Sequence, residues 1–516
     1  MLGAAAVAAA LVFVSTRAPG PGLDPDSMAY VGAATSLAHQ GRMRVPTAKW
    51  DRPDSTSTLS LWPPGFPAAI ALPVYFGASP IQSARWINVL AAGVTAGAIV
   101  LLLAAPLGLS AGLIAAVIVF VTQPVFDAQI SVLSEPLFIV LMLLVLATMV
   151  YARDRLILLS VLATAAVMVR YAGAAAAAAA VIWTLFDARC DWRTRWRRAT
   201  TVALLPMAAI ALWFVRTAIA PDRHATPKLK VYGGWGATLV QGRDTIAEWL
   251  APLLSDGTLQ RSIALVVAIA IAGFIITAAR DTAGNRLRQL RVGGVSTLLS
   301  ATSLLGGCYI LIILASRAFV GRGIPLDWRI FAPLIVLIEI AVVTSIGYWW
   351  RAYHSPVRVT IVVLAVVWFA ATATVTFNDA VYASTEGSDF AGASWRHSPL
   401  TAWVREHAKG RPLYSNWPAA LYFYAHRIAR ELPDSADPKD MSGFAKQIRE
   451  DHGYVIAFDE RSPDFVPPTM LAHDTGLRQI VRTADGTVWA ADPLAAPDSA
   501  TESAGPTGPA LQQRQR

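Results

Sequence analysis

Apolar residues run along this chain in long blocks divided by short polar stretches, not in the alternating spacing of half-buried strands. Blocks at 1–17, 83–105, 108–125, 133–151, 155–169, 171–187, 199–219, 261–279, 293–315, 329–349 and 359–377 each read as a helix. About 20 apolar residues cross a hydrocarbon core of ~30 Å. The pattern therefore predicts an all-α polytopic membrane protein with about eleven transmembrane helices. The first block is short and has no basic residues ahead of it, so it reads as a signal anchor or a truncated span. Between the first two blocks, Asp26–Gln40 carries Met28, Val31, Ala34 and Leu37 near helical spacing and reads as a helix lying on the membrane surface. Trp62-Pro-Pro-Gly-Phe-Pro67 is too rich in Pro for regular helix and reads as a loop packed at the membrane face.

After 377 the pattern changes. Residues 411–415, 454–458 and 487–491 read as strands, and 419–427 and 439–450 as helices between them. This predicts a small α/β domain over 378–494. From 495 to 516 the chain is rich in Pro, Gly, Ser and Gln and is expected to be a disordered tail. The rest, 1–377, forms the transmembrane module, with 18–82 as its long first loop.

Composition sharpens this picture. Hydrophobic residues make up 55% of the chain and charged residues 15%, against roughly 25% charged in a soluble domain. The net charge of +9 does not point to nucleic acid, because most of the basic residues sit in short loops between apolar blocks. Arg153 and Arg155 share one loop. Arg189, Arg193, Arg195, Arg197 and Arg198 crowd the next, Arg280, Arg286, Arg288 and Arg291 a third, and Arg351 and Arg358 flank a fourth. Basic loops stay in the cytoplasm, and with eleven spans all four fall on one side. The first loop, the loops 125–132, 220–260 and 316–328, and everything after 378 then face outward. Abundant Ala, Arg, Trp and Pro beside few Lys resembles the product of a high-GC bacterial genome, and a bacterial plasma (inner) membrane is the expected location. Cys190 and Cys308 lie in a basic loop and in an apolar block, which predicts neither a disulfide nor a Cys metal site.

The candidate chemistry gathers on the outer face. Asp24 and Asp26 open the first loop, and a helix starting near Asp26 would put Asp26 and Tyr30 on one face at i,i+4. Asp26 or Ser27 could equally cap that helix. Ser134-Glu135-Pro136 begins the fourth block, where Ser suits a cap, Glu the helix dipole and Pro the first turn. A Glu heading an apolar span is also a functional candidate. Arg170, followed by Tyr171, lies between two apolar stretches at the outer end, either snorkelling or holding a phosphate or carboxylate. Arg317, Arg322, Asp327 and Arg329 form a second outer group, in which Asp327 and Arg329 could pair with each other.

Acids and arginines above apolar helices suit a substrate with an anionic head and a long lipid tail. The outer face has no nucleotide supply, and the sequence holds no Walker-type phosphate loop. An activated sugar used there would arrive on a lipid such as a polyprenyl phosphate. Its phosphate leaves, so a cation should hold it, and the acceptor hydroxyl needs a carboxylate to take its proton. Asp26 is favoured as that base, with Glu135 beside the same cavity. Two other classes compete: a transporter or flippase of a lipid-linked substrate, and a non-catalytic membrane binding protein. A transporter should show internal repeats and broken helices at mid-membrane. No repeated half is visible in the sequence.

These residues resemble the GT-C fold membrane glycosyltransferases, and in particular bacterial members of family 39, the dolichyl-phosphate-mannose-protein mannosyltransferase-like enzymes. The matching pieces come in order. They are Asp26-Ser27-x-x-Tyr30 followed by Leu37-Ala38-x-x-Gly41, then Pro63-Pro64-x-x-Pro67, then Leu133-Ser-Glu-Pro-Leu-Phe138, and Asp327-x-Arg329-Ile330-Phe331-x-Pro333. Arg170-Tyr171-x-Gly173 matches a further element, and Ile330 stands where the family usually has Tyr. The resemblance covers residues 1–350. It implies inverting transfer from a polyprenyl-phosphate sugar, a catalytic Asp that falls on Asp26, and weak or no metal dependence, with no cofactor. Many members carry an Asp-Glu pair where this chain has Asp26-Ser27, which leaves Asp24 and Glu135 as alternatives for the second acid. The donor would be bound by Asp24, Tyr30, Arg170, Tyr171, Asp327 and Arg329. The acceptor stays open among protein, glycolipid and cell-wall polymer.

Overall fold

The computed structural model describes residues 1–220, 222, 235–284, 294–320, 326–350, 355–460, 462 and 464–491. Contacts divide the chain into two compact units, one of Met1–Ala48 with Asp54–His397, the other of Lys49–Pro53 with Ser398 onward.

The first unit holds helices α1 (Leu2–Ser15), α2 (Pro25–Gln40), α3 (Gly65–Tyr75), α4 (Pro80–Leu107), α5 (Leu109–Val121), α6 (Gln123–Ile130), α7 (Glu135–Tyr151), α8 (Leu156–Val169) and α9 (Ala174–Leu185). It continues with α10 (Trp192–Ile219), α11 (Trp235–Leu250), α12 (Gly257–Gly284), α13 (Val295–Phe319), α14 (Trp328–Trp349), α15 (Ser355–Thr385) and the one-turn α16 (Ala393–Arg396). Strands β1 (Arg44–Val45) and β2 (Ser57–Thr58) pair antiparallel within the first loop. Every apolar block of the sequence is a helix. Among the described residues six helices are long and apolar enough to cross a membrane, or seven if the pair α5 and α6, bent by 72°, forms one span. The chain is a multi-pass membrane protein.

Helix α7 is deeply enclosed: it buries Phe138, Ile139, Met142, Leu143, Val145, Leu146 and Met149 and packs against α4, α8, α9, α13 and α14. The outer helices differ. Leu265, Val266 and Ile269 of α12 and Val362, Leu364 and Val366 of α15 are exposed, as suits side chains that meet hydrocarbon. Glu135 starts α7 and Tyr151 ends it. At the Tyr151 end, Asp187 meets both Arg189, at 2.7 Å, and Arg198, at 3.8 Å, and Arg198 also bonds Asp154. Two of the basic loops thus gather at the end of α7 opposite Glu135.

Several expectations change. Helix α2 does not lie on a surface, because Ser27 through Ala34 are all buried and the helix packs against α3, α4 and β1. Small Ala29, Gly32 and Ala33 permit that close approach. Its N-cap is Asp24 with Pro25 in the first turn, not Asp26 or Ser27. Helix α3 begins inside the Pro-rich segment, at Gly65, so that Pro67 falls in its first turn, where no N–H is needed. Short α6 and amphipathic α11 occupy stretches read as loops. The division near 377 moves to 397/398, because α15 runs unbroken to Thr385 and the chain beyond it joins the first loop. Phe390 N donates to Leu23 O at 2.9 Å, and Leu23 and Asp389 form a parallel bridge.

The second unit is a five-stranded sheet, β4-β3-β5-β7-β6, with β3 (Leu413–Ser415) parallel to both β4 (Arg430–Glu431) and β5 (Tyr454–Phe458). The hairpin of β6 (Arg478–Arg482) and β7 (Gly486–Ala490) adds to β5 antiparallel. Helices α17 (Pro399–His407), α18 (Pro438–Asp451) and α19 (Pro468–Thr475) complete it. The expected helix over 419–427 is a single turn, Pro418–Ala420, running into a π-turn that ends at Ala425. Tyr414, Phe444, Ile448 and Leu471 form the core, and Trp50 from the first loop packs edge-on against Phe444 at 5.8 Å. Arg430 bonds Asp451 at 2.6 Å and Pro53 O at 2.6 Å. The expected tail lies outside the described residues.

Candidate active site

Four helix ends bring the candidate charges together. The first is the start of α2. Asp24 is its N-cap, and its N–H donates to Ser27 Oγ at 2.9 Å. Ser27 in turn donates to Val132 O at 2.8 Å, which ties this turn to the strand-like segment ahead of α7. One residue from Ser27, Asp26 is left for other work.

The second is the start of α14. Asp327 caps it through Oδ1, which accepts from Ile330 N at 3.2 Å. Its other oxygen pairs with Arg329 Nε at 3.2 Å, the pairing that the sequence allowed. Arg329 does more than that. Its Nη1 lies 3.3 Å from Asp26 Oδ2 and 3.5 Å from Asp24 Oδ1. One guanidinium therefore faces three carboxylates. Asp389, from the segment after α15, also acts on this group electrostatically and escaped the sequence reading altogether. Burial pushes Asp24 up to about 7 against the pull of Arg329, helped by the negative charges of Asp389, Asp26 and Glu135. Burial likewise raises Asp389, with Arg329 opposing it.

The third and fourth are the start of α7 and the gap between α8 and α9. Arg170 is extended, at φ −145° and ψ 139°. A Cβ on Gly173 would meet the backbone of Ala166 at 2.3 Å, so only glycine lets the chain turn this tightly after Arg170. Arg170 Nη1 lies 2.5 Å from Glu135 Oε1 and donates to Ser134 Oγ at 3.1 Å. Ser134 does not cap α7. Its hydroxyl instead joins Arg170 to Tyr30 OH, 3.3 Å away. Tyr30 is held edge-on by Phe66 at 5.1 Å and Trp62 at 6.1 Å. Burial, with the charges of Asp26 and Glu135, keeps its phenol above the usual range.

A cavity of about 200 Å³ opens beside these groups, lined by Asp26, Tyr30, Trp62, Arg170, Tyr171 and Tyr309 among others. Of the residues expected at a site, Asp26, Tyr30, Arg170 and Tyr171 line it. Glu135, Asp24, Asp327 and Arg329 stand behind that wall and reach it through Arg170 and Asp26. Arg170 keeps Nε and Nη2 free of hydrogen bonds among the described residues. Arg317 turns away, its Nε donating to Thr238 Oγ1 of α11 at 2.8 Å, and Arg322 lies outside the described residues. Among the described residues no group of three or more His, Cys, Asp or Glu is placed to hold a metal ion. Arg329 supplies the positive charge at the centre of the carboxylates.

The chain has the fold of the GT-C membrane glycosyltransferases. It matches ArnT from Cupriavidus metallidurans, solved with undecaprenyl phosphate, at a TM-score of 0.56 and 15% identity, over 96% of this chain and 98% of that one. It matches an oligosaccharyltransferase from Archaeoglobus fulgidus, solved with zinc and sulfate, at 0.54 and 12% identity, over 88% of this chain and 68% of the other. The arabinofuranosyltransferase AftD from Mycobacteria matches at 0.53 and 18% identity, over 95% of this chain and 40% of AftD. No protein-family model and no curated protein matches by sequence.

Proposed function

We propose that this protein is an inverting glycosyltransferase that moves a sugar from a polyprenyl-phosphate-linked donor to an acceptor hydroxyl on the outer face of the plasma membrane. The observation that carries this reading is the shared cavity, in which a carboxylate fixed by an arginine (Asp26 on Arg329) accompanies an arginine fixed by a carboxylate (Arg170 on Glu135). The fold it shares with ArnT, solved with undecaprenyl phosphate, supports a lipid-phosphate donor. The second unit would then be extracytoplasmic.

In the reaction the acceptor oxygen attacks the anomeric carbon while Asp26 takes its proton. The bond from that carbon to the phosphate oxygen breaks, and its electron pair stays on the phosphate. Arg170 stabilises the charge that develops there with its unused donors, as a guanidinium fork suits. Glu135 positions Arg170, and Arg329 positions Asp26 and keeps its carboxylate paired until substrate arrives. No bound metal enters this scheme, because Arg329 already supplies a cation among the acids.

The test is turnover in liposomes carrying radiolabelled polyprenyl-phosphate sugars and an envelope lipid extract as acceptor. Release of free polyprenyl phosphate with transfer of label is expected. Movement of the lipid between leaflets without cleavage would overturn the reading in favour of a flippase.

A further inference from the structure

A second cavity of about 450 Å³ is linked to the first through the Trp213–Tyr171 pair. It is lined by Leu37, Gly41, Arg42, Met43, Arg44, Thr58, Trp213, Arg216 and Asp222. Tyr171 walls the first cavity and Trp213 the second, and Trp213 Nε1 donates to Tyr171 OH at 2.8 Å. Tyr171 also stacks on Phe214 at 5.6 Å, which fixes this pair in place.

The charge of the lining is uneven. Three arginines face one carboxylate. Arg44 and Asp222 answer each other, with Arg44 Nη1 2.6 Å from Asp222 Oδ2, and Thr58 Oγ1 completing the carboxylate at 2.7 Å. Arg44 spends its other donors on Thr56, at 2.8 and 2.9 Å. Asp222 also acts on Arg216 electrostatically, so one carboxylate is shared between two arginines and Arg42 has none among the described residues. Arg216 lies 4.6 Å over the Trp213 ring and donates only Nη1, to Leu59 O at 2.9 Å. Arg42 is exposed and makes no hydrogen bond or ion pair among the described residues. Two guanidinium groups with unused donors, above the apolar surfaces of Leu37, Met43 and Trp213, suit a phosphoryl group joined to an organic body.

We propose that this second cavity receives the acceptor, and that the acceptor carries a phosphoryl group held by Arg42 and Arg216. The assignment to the acceptor rests on the glycosyl-transfer reading of the first cavity. The Trp213–Tyr171 link then sets the phosphate of the acceptor in one cavity and the base in the other, so that a hydroxyl distant from that phosphate is the one that reacts.

The full chain, first saturated with undecaprenyl phosphate, is titrated by calorimetry with glycerol 3-phosphate, with dioctanoyl phosphatidate and with glycerol. Binding of the phosphoryl probes but not of glycerol is expected. Arg42→Gln, which breaks no contact among the described residues, should weaken it by about tenfold, the loss of one charge-assisted contact, and Arg42→Lys should restore part of it. Tight binding of phosphatidate alone would support a lipid-borne phosphate, and equal binding of both probes a phosphate recognised by itself. Absence of binding, or binding unmoved by Arg42→Gln and Arg216→Gln, overturns the proposal. If undecaprenyl phosphate fails to bind while Arg42-dependent binding of glycerol 3-phosphate persists, the anion site stands and its role as the acceptor site falls with the glycosyl-transfer reading.

Discussion

Arg170 and Glu135 meet at 2.5 Å, and through them the break between α8 and α9 is fastened to the first turn of α7. Removing one partner of a buried pair leaves the other charge unanswered, which typically costs about 3–5 kcal/mol. Glu135→Ala should therefore lower the thermal unfolding temperature clearly in detergent. Glu135→Gln, which keeps a hydrogen-bond acceptor beside Arg170, should destabilise less and mainly weaken donor binding. Equal unfolding temperatures for wild type and Glu135→Ala would remove the pair from the framework of the site.

Asp26→Asn should lower the transfer rate by about 10²–10⁴-fold, the range over which a positioned base acts, while undecaprenyl phosphate still binds. Asp24→Asn should reduce the rate far less, because Asp24 does not line the cavity. Rates within a factor of two of wild type for Asp26→Asn would assign the proton to another group.

The acids on Arg329 predict a pH dependence of stability. Asp24 rises from an ordinary 3.8 to about 7 in the folded protein, chiefly through burial, so the folded state holds its proton more tightly than the unfolded chain. That contribution is full below pH 3.8 and is lost as the pH climbs to about 7. Asp389, raised for the same reason, adds in the same direction. Unfolding temperature should fall across this window, and the fall should flatten in Asp24→Asn and in Asp389→Asn. An unchanged slope in both variants would show that other groups set it.

Gly173→Ala tests the turn that presents Arg170. The added methyl would sit 2.3 Å from the backbone of Ala166, and overpacking of this kind costs about 1–3 kcal/mol or more. Donor affinity should fall along with stability, whereas Gly273→Ala, in open space on α12, should change neither.

The outer-face assignment predicts that Ser442→Cys, on an exposed position of α18, is labelled in intact cells by an impermeant thiol reagent. Native Cys190, in a basic loop, should react only after the cells are opened and so serves as an internal control. The reverse pattern would invert the topology and move the site to the cytoplasm.

Much of this was legible in the sequence, and the reasons are physical. Each of the eleven apolar blocks announced a helix because a membrane span must be apolar nearly throughout. Arg170 and Arg329 stood at the ends of those blocks, and Asp26 and Tyr30 in the first loop between the first two. Among the helices that went unread, three had separate reasons. Pro64 and Pro67 disguised the start of α3, α6 is only eight residues long, and the amphipathic α11 mixes polar and apolar residues. The pairing of the charges was not legible. Nothing local in Glu386-Gly-Ser-Asp389 says that the chain returns to bridge Leu23, and nothing in Arg329 says that it faces Asp24 and Asp26 as well as Asp327.

The small sheet unit is built from two distant stretches of chain, and this bears on the order in which the protein is made. Arg430 takes the carbonyl of Pro53 from 377 residues upstream, a gap that a ribosome moving at about 5–20 residues per second needs roughly 20–75 s to close. Over that interval Trp50 and Pro53 have no partner in the unit that they complete. A fragment begun at Ser398 would lack them for good, leaving one face of Phe444 bare and a guanidinium nitrogen of Arg430 unanswered, so this unit is not one that can be lifted out by cutting the chain once.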